Sequence, residues 1–231
     1  MSRDSLLIHE VFYSIQGEST YAGLPCVFVR LRGCHLRCNY CDTTYAFHEG
    51  GRRTFDEIVA EGERLSGGAC DLWEVTGGEP LLQKNVHKLM TYLCDLGKTV
   101  LLETSGACDI APCDPRVVRI MDLKTPGSGE ADKNLPSNIP LLTRRDEVKF
   151  VLTSRGDYDW MKAMLAEHRL NEKVGAVLVS AVFNAKADDH VKGCTGLHPR
   201  VVAEWILADR LPVRFQTQLH KIIWDPATRG V

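Results

Sequence analysis

Cys26-Val27-Phe28-Val29-Arg30-Leu31-Arg32-Gly33-Cys34-His35-Leu36-Arg37-Cys38-Asn39-Tyr40-Cys41 joins an apolar run to three cysteines held within eight residues. The run 26–31 reads as a buried strand, and thiols packed on the loop behind it read as a metal site. Structural zinc takes four protein ligands, and these three have no well-spaced fourth. One coordination position is left open for chemistry, with a zinc site or packed thiols as the plainer alternative.

Outward from this stretch, strand-like runs alternate with helix-like ones. Strands are expected at 71–76, 99–104, 117–123, 147–152, 175–180 and 213–217. A helix should start at Thr54, whose hydroxyl and Glu57 three residues on form a capping box, with Ile58, Val59 and Leu65 inward. A second carries Leu82, Val86, Leu89, Met90 and Leu93 at helical spacing and stops at Gly97. Others fit 157–169 and 199–210, the latter with Pro199 in its first turn. Such alternation implies a parallel sheet with right-handed crossovers. Six or seven strand–helix units are fewer than the eight of a closed barrel, and the chain is shorter than the ~250 residues usual for one. The expected fold is α/β, an open, partial (truncated) β/α barrel with parallel strands, as a single domain over 1–231. Reactive residues gather where parallel strands end. The cysteine loop, Thr76-Gly77-Gly78-Glu79-Pro80, Glu103-Thr104-Ser105-Gly106, Asp122-Leu123-Lys124 and Ser180 all fall there.

Composition narrows the setting. The 231 residues are 44% apolar, enough for one sizeable core, and nine scattered cysteines do not suggest a disulfide framework. No apolar run approaches membrane-spanning length and no leader pattern is evident, so a cytoplasmic protein without a membrane partner is expected. A net charge of −2 argues against nucleic acid as the main partner.

The C-x3-C-x2-C spacing with Tyr40 before the last cysteine, joined to Gly-Gly-Glu-Pro one strand later, resembles the radical S-adenosylmethionine superfamily. The resemblance implies a 4Fe-4S cluster on Cys34, Cys38 and Cys41, with the methionine end of S-adenosylmethionine on the fourth iron. Low-potential electron delivery suits cleavage of a sulfonium bond. Glycines 77 and 78 would let backbone approach a bound ligand.

A narrower resemblance spans nearly the whole chain. Phe12-Tyr13-Ser14-Ile15-Gln16-Gly17-Glu18, Arg30, the cysteine loop and Asp42-Thr43-Thr44 are similar to the 7-carboxy-7-deazaguanine synthase family. That family converts 6-carboxy-5,6,7,8-tetrahydropterin with release of ammonia, on the route to queuosine. The resemblance implies magnesium, a homodimer, and an external low-potential reductant such as flavodoxin or ferredoxin. It places Ile15, Gln16, Gly17, Glu18, Arg30, Thr76, His220 and Pro226 at the pterin. It places Tyr40, Gly78, Glu79, Glu103, Ser105, Asp122, Leu123, Lys124 and Ser180 at S-adenosylmethionine, and Thr43 at magnesium, with Asp42 as a helix cap or support.

Other readings of the same residues stay open. Gln-Gly-Glu also reads as a solvated turn. Arg30 interrupts an apolar strand and needs an anion, either the substrate carboxylate or an internal partner. A glycyl-radical activating enzyme or an electron carrier would share the cysteines. The chain departs from the family pattern at Ser19, Asp122-Leu123 and Ser180, and in residues 227–231 beyond Pro226, which would remove a terminal carboxylate from that proline. His190, Cys194 and His198 gather in the 183–198 insertion without a fourth ligand, as a surface loop would by chance.

Overall fold

The computed structural model describes residues 4–183, 196–226 and 228–231. In chain order the elements are β1 (Ser5–Ile15), β2 (Pro25–Leu31), β3 (Gly51–Thr54), α1 (Phe55–Ser66), β4 (Leu72–Gly77), α2 (Val86–Asp95), β5 (Thr99–Thr104) and β6 (Val118–Asp122). They continue with β7 (Glu147–Leu152), α3 (Arg155–His168), α4 (Leu170–Lys173), β8 (Ala176–Ala181), α5 (Pro199–Asp209), β9 (Arg214–Phe215) and α6 (His220–Ile223). The nine strands form one sheet in the order β3-β1-β2-β4-β5-β6-β7-β8-β9. From β2 to β9 every pairing is parallel. The two ends of the sheet do not meet, and the expected partial barrel is what the chain forms.

An antiparallel extension adds to that expectation: β1 pairs with β2 on one side and β3 on the other. The sequence reading left both strands out. Ile8 faces Leu31 while Glu10 faces Arg30, so His9 is an extra residue and the inward alternation slips there. Leu6 and Ile8 before the bulge, and Val11 and Phe12 after it, are buried. β1 as a whole therefore lacks the single even period that marks a strand, and β3 buries no residue. The outer strands β3 and β9 are only 4 and 2 residues long, which limits the exposed pairing edge.

Local chemistry sets the helix ends. Thr54 caps α1: its hydroxyl accepts from the Glu57 amide at 3.3 Å, and Glu57 Oε2 accepts from the Thr54 amide at 2.7 Å. At the end of α2, the Gly97 amide donates to Cys94 O (3.0 Å) and that of Lys98 to Leu93 O (3.1 Å), a Schellman turn that needs the left-handed φ of +82° at Gly97. Leu82 departs from the reading. Pro80–Leu82 is a 3₁₀ turn, and Leu82 is 44% exposed, outside the inward stripe that starts at Val86. Proline at 80 removes a backbone donor and lets the helix begin only after the turn.

The parallel strands present alternate residues to the hollow of the barrel. Phe28 and Arg30 of β2, Glu74 and Thr76 of β4, Glu103 of β5, Ile120 and Asp122 of β6, Lys149 and Val151 of β7, and Ser180 of β8 line one cavity. Register aligns them: Phe28 pairs with Glu74, Arg30 with Thr76, Glu103 with Ile120, Asp122 with Lys149 and Val151 with Ser180. The opposite faces carry the apolar core, with fully buried Trp73, Val75, Leu102 and Met121 under the helices.

Gly62 of α1 lies against Trp73, so a β-carbon there would come within 2.2 Å of the ring. Alanine normally stabilises a helix interior relative to glycine. Here Gly62→Ala should instead destabilise by about 1–3 kcal/mol through overpacking, read from the denaturant midpoint of the apoprotein.

Candidate active site

The cysteine loop is braced from three sides before any ligand is considered. Gly33 N donates to Ala46 O (2.9 Å) and Asn39 N to Ser128 O (2.9 Å). The Arg37 guanidinium donates to the carbonyls of Cys34 (3.0 Å) and Leu36 (2.7 Å) and stacks over Phe47 at 4.5 Å. Gly78 completes the packing: a β-carbon there would sit 2.4 Å from Gly33 O and 2.6 Å from Cys34 Cβ. At Gly77, φ is +153° and a β-carbon would meet Leu31 O at 2.4 Å. Both glycines thus admit neighbouring protein, where the sequence reading had them admit a ligand.

Cys34, Cys38 and Cys41 are half-buried on the wall of a cavity of about 990 Å3. Burial raises all three thiols, Cys38 to about 11, so metal binding must displace their protons. Among the described residues no three His, Cys, Asp or Glu side chains converge to hold a single metal ion. A cluster does not require that convergence, because each thiolate ligates a different iron. The residues fit a 4Fe-4S cluster better than mononuclear zinc.

Beside this loop, two buried polar atoms have no partner among the described residues: the Tyr40 hydroxyl and Asp122 Oδ1. Both residues line the cavity, and such orphans are what a ligand would satisfy. The other Asp122 oxygen pairs with Lys124 Nζ at 2.7 Å. Thr76, Gly78, Glu103, Ser105, Lys124 and Ser180 share the wall. Glu79 and Leu123 do not. Fully buried Glu79 accepts from the amides of Leu81 (2.9 Å) and Ser105 (2.8 Å) and from the Thr104 and Ser105 hydroxyls, pinning the turn after β4 to the end of β5. Leu123 packs in the core, its amide donating to Lys149 O. The motif reading takes both as contacts, whereas their side chains are scaffold.

The far end of the cavity is a buried ion network. Lys149 Nζ bridges Glu18 (2.8 Å) and Glu103 (2.5 Å). Gln218 Nε2 donates to Glu18 at 2.7 Å. Burial works to raise the Glu18 carboxyl, but Lys149 and the Gln218 amide outweigh it and hold it below its usual range. Burial likewise works against the Lys149 charge, and Glu103 and Glu18 overcome it. Gln16, read as a direct pterin contact, spends both ends of its amide on protein: Nε2 donates to Glu74, and Oε1 accepts from the Glu18 amide at 2.9 Å. Glu18 is oriented by it. Ile15, Gly17 and His220 are brought together, since Leu219 N donates to Gly17 O (3.0 Å) and a β-carbon at Gly17 would strike His220. Burial lowers the imidazole's proton affinity there.

Arg30 takes the internal partner: Nε donates to Glu10 Oε1 at 2.7 Å, and the guanidinium lies over Phe12 and Tyr45. It still lines the cavity, its terminal nitrogens without a partner among the described residues. Thr43 donates to Asp42 Oδ1 at 2.8 Å, and Lys221 closes on Asp42. Burial opposes ionisation of Asp42, but Lys221 and the Thr43 hydroxyl hold its carboxyl well below the usual range. Pro226 and residues 228–231 reach the same wall, with Arg229 over Tyr45 at 4.3 Å. His198 caps α5, its Nδ1 accepting from Arg200 N at 3.1 Å, while His190 and Cys194 lie outside the described residues.

Glu74, Lys149 and Glu10 were missed in the sequence. The signal that exposed Arg30, a charge inside an apolar strand, also marks Glu74 within 71–76 and Lys149 within 147–152.

Three thiols without a fourth protein ligand among the described residues, orphaned polar atoms beside them and an open parallel barrel define a radical S-adenosylmethionine enzyme. The family model described as the Radical SAM superfamily matches residues 28–122. Over 229 residues, 98% of this chain and 97% of the relative, it is 46% identical to a 7-carboxy-7-deazaguanine synthase from Chlorobaculum tepidum. One from Koribacter versatilis is 43% identical over 97% of this chain and 99% of the relative. The chain belongs to the 7-carboxy-7-deazaguanine synthase family. The crystal structure of QueE from Escherichia coli shares its fold, with a TM-score of 0.70 at 21% identity over 92% of this chain and 94% of that one.

Lys149→Met should leave Glu18 and Glu103 without their cation and cost about 3–5 kcal/mol near neutral pH. Unfolded carboxylates protonate near pH 4.5. The contribution of the depressed Glu18 is fully present above that pH and is lost as pH falls through its lower folded value. The deficit should therefore shrink only in acid below that value, checked by denaturant unfolding of both proteins at about pH 7.5 and about pH 3.

Proposed function

We propose that the protein converts 6-carboxy-5,6,7,8-tetrahydropterin to 7-carboxy-7-deazaguanine with release of ammonia, as a single-domain cytoplasmic enzyme of queuosine biosynthesis. The observation that carries this is one continuous cavity, running from the three cysteines to the Glu18–Lys149–Glu103 network, in a chain of this family. Among the described residues, no helix is long and apolar enough to cross a membrane.

Cys34, Cys38 and Cys41 would hold the cluster, Tyr40, Gly78, Ser105, Asp122, Lys124 and Ser180 would surround S-adenosylmethionine, and Thr76 would face the pterin. When bound, the two together supply one-electron bond cleavage and hydrogen abstraction. The chain's own residues bind and orient the substrate. Glu103, which the resemblance places at S-adenosylmethionine, shares Lys149 with Glu18; both carboxylates can only accept hydrogen bonds, so they select donors on the heterocycle. Arg30, its Nε fixed by Glu10, presents its remaining nitrogens to the substrate carboxylate. His220 packs against Gly17, and Pro226 lines the same pocket. Magnesium would take the Thr43 hydroxyl oxygen, whose proton points to Asp42, and complete its shell with water and substrate oxygen. A homodimer and an external flavodoxin- or ferredoxin-like reductant belong to this reading.

The test is anaerobic reconstitution with iron and sulfide, then S-adenosylmethionine, reductant, magnesium and the carboxypterin, with 5′-deoxyadenosine and deazapurine measured by mass. Both products are expected. Cofactor cleavage without deazapurine would move the assignment to an activating enzyme, and neither product from an intact cluster to an electron carrier. Arg30→Ala should weaken substrate capture by about 2–5 kcal/mol with cluster absorbance retained, and unchanged affinity would remove Arg30 from the site.

A further inference from the structure

Glu74 is a carboxyl in an unusual place. It sits on β4, an interior strand of the sheet, is 3% exposed, and lines the cavity. Glu18 from the β1–β2 turn, Glu103 from β5, Lys149 from β7, and Arg30 and Cys26 from β2 are the ionisable groups that surround it. Three carboxylates share this interior, yet Lys149 is committed to Glu18 and Glu103, and Arg30 to Glu10. No cation contacts Glu74 among the described residues. Its bonded partner is an amide: Gln16 Nε2 donates to one oxygen. The second oxygen has no partner among the described residues.

An isolated buried carboxylate between two others is strongly disfavoured, and the group keeps its proton instead. Burial, with Glu103 and Glu18 close by, pushes the Glu74 carboxyl well above its usual range. A carboxylic acid whose one oxygen accepts from Gln16 has its hydroxyl free to donate. Glu18 and Glu103 can accept but not donate. We propose that Glu74 donates a hydrogen bond from its carboxyl to a carbonyl or ring-nitrogen acceptor of the bound heterocycle, so that the site reads an edge carrying an acceptor beside donors. The inference rests on the proposed pterin substrate and assigns the one donor among the three facing carboxyls. It also explains the Gln16 geometry, because the acid that reads the ligand simultaneously anchors the amide that orients Glu18.

Infrared spectroscopy of the reconstituted enzyme tests this directly. At neutral pH the wild type should show the carbonyl stretch of a protonated carboxylic acid, absent in Glu74→Gln, and that band should shift when the carboxypterin is added. In parallel, Glu74→Leu, which has no donor, should raise the KM for the pterin about tenfold or more with a smaller change in kcat. Glu74→Gln, which keeps a donor, should raise it less than Glu74→Leu. A missing band, a band that ignores the pterin, or equal KM values for the two variants would overturn the assignment. Deazapurine formation by the wild type is measured first. A wild type that makes product but shows no pterin-induced shift sinks the role of Glu74 alone, while one that makes none sinks the reading of function beneath it as well.

Discussion

Everything in the barrel's interior turns on one buried ammonium. Lys149 projects from β7 into a space that also receives Glu103 from β5 and Glu18 from the loop after β1. Removing three charges from water carries a large penalty, and it is offset only when the ions satisfy one another at contact distance. That condition ties the first loop of the chain to two strands more than eighty residues further on. Hydrogen bonds from Ser19 N to Gln216 and from Thr20 N to Glu147 add to it, so this loop spans the side on which the sheet stays open. Gln16, Gln218 and His220 take their places around the same network, so the substrate end of the cavity is arranged before substrate arrives.

The cluster end is built differently, from backbone and glycine. Arg37 folds back on the carbonyls of Cys34 and Leu36, Asn39 is tied to Ser128, and Gly78 admits the loop against β4. Polar atoms left over here, on Tyr40 and Asp122, have no internal counterpart among the described residues. The cysteine end thus leaves polar atoms for a ligand to satisfy, while the far end is held mainly by its own charges. The two meet at Glu103, which faces Lys149 on one side and precedes the Glu79-anchored turn at Ser105 on the other.

Much of this was readable in one dimension because it follows from local chemistry. The capping box at Thr54, the glycine turn at 97, the parallel strands and the three thiols each depend on residues a few positions apart. Strands β1 and β3 were not legible, since the bulge at His9 breaks the alternation that would have revealed the first. Leu82 was misplaced because Pro80 turns the chain before the helix begins.

Cysteine spacing, glycine positions and apolar periodicity, properties of neighbours in sequence, determined the class of protein, the cluster loop and the rim on which chemistry occurs. Only the folded chain decided which polar residues read a ligand and which hold the frame. Glu79 and Glu103 look alike in sequence, yet one is sealed by amides and hydroxyls and the other opens on the cavity. Arg30 and Glu74 each interrupt an apolar strand, yet one finds Glu10 across the sheet and the other finds only an amide. Charge pairing depends on distances of a few ångströms between residues far apart in the chain, and sheet register and the loops folded over it set those distances.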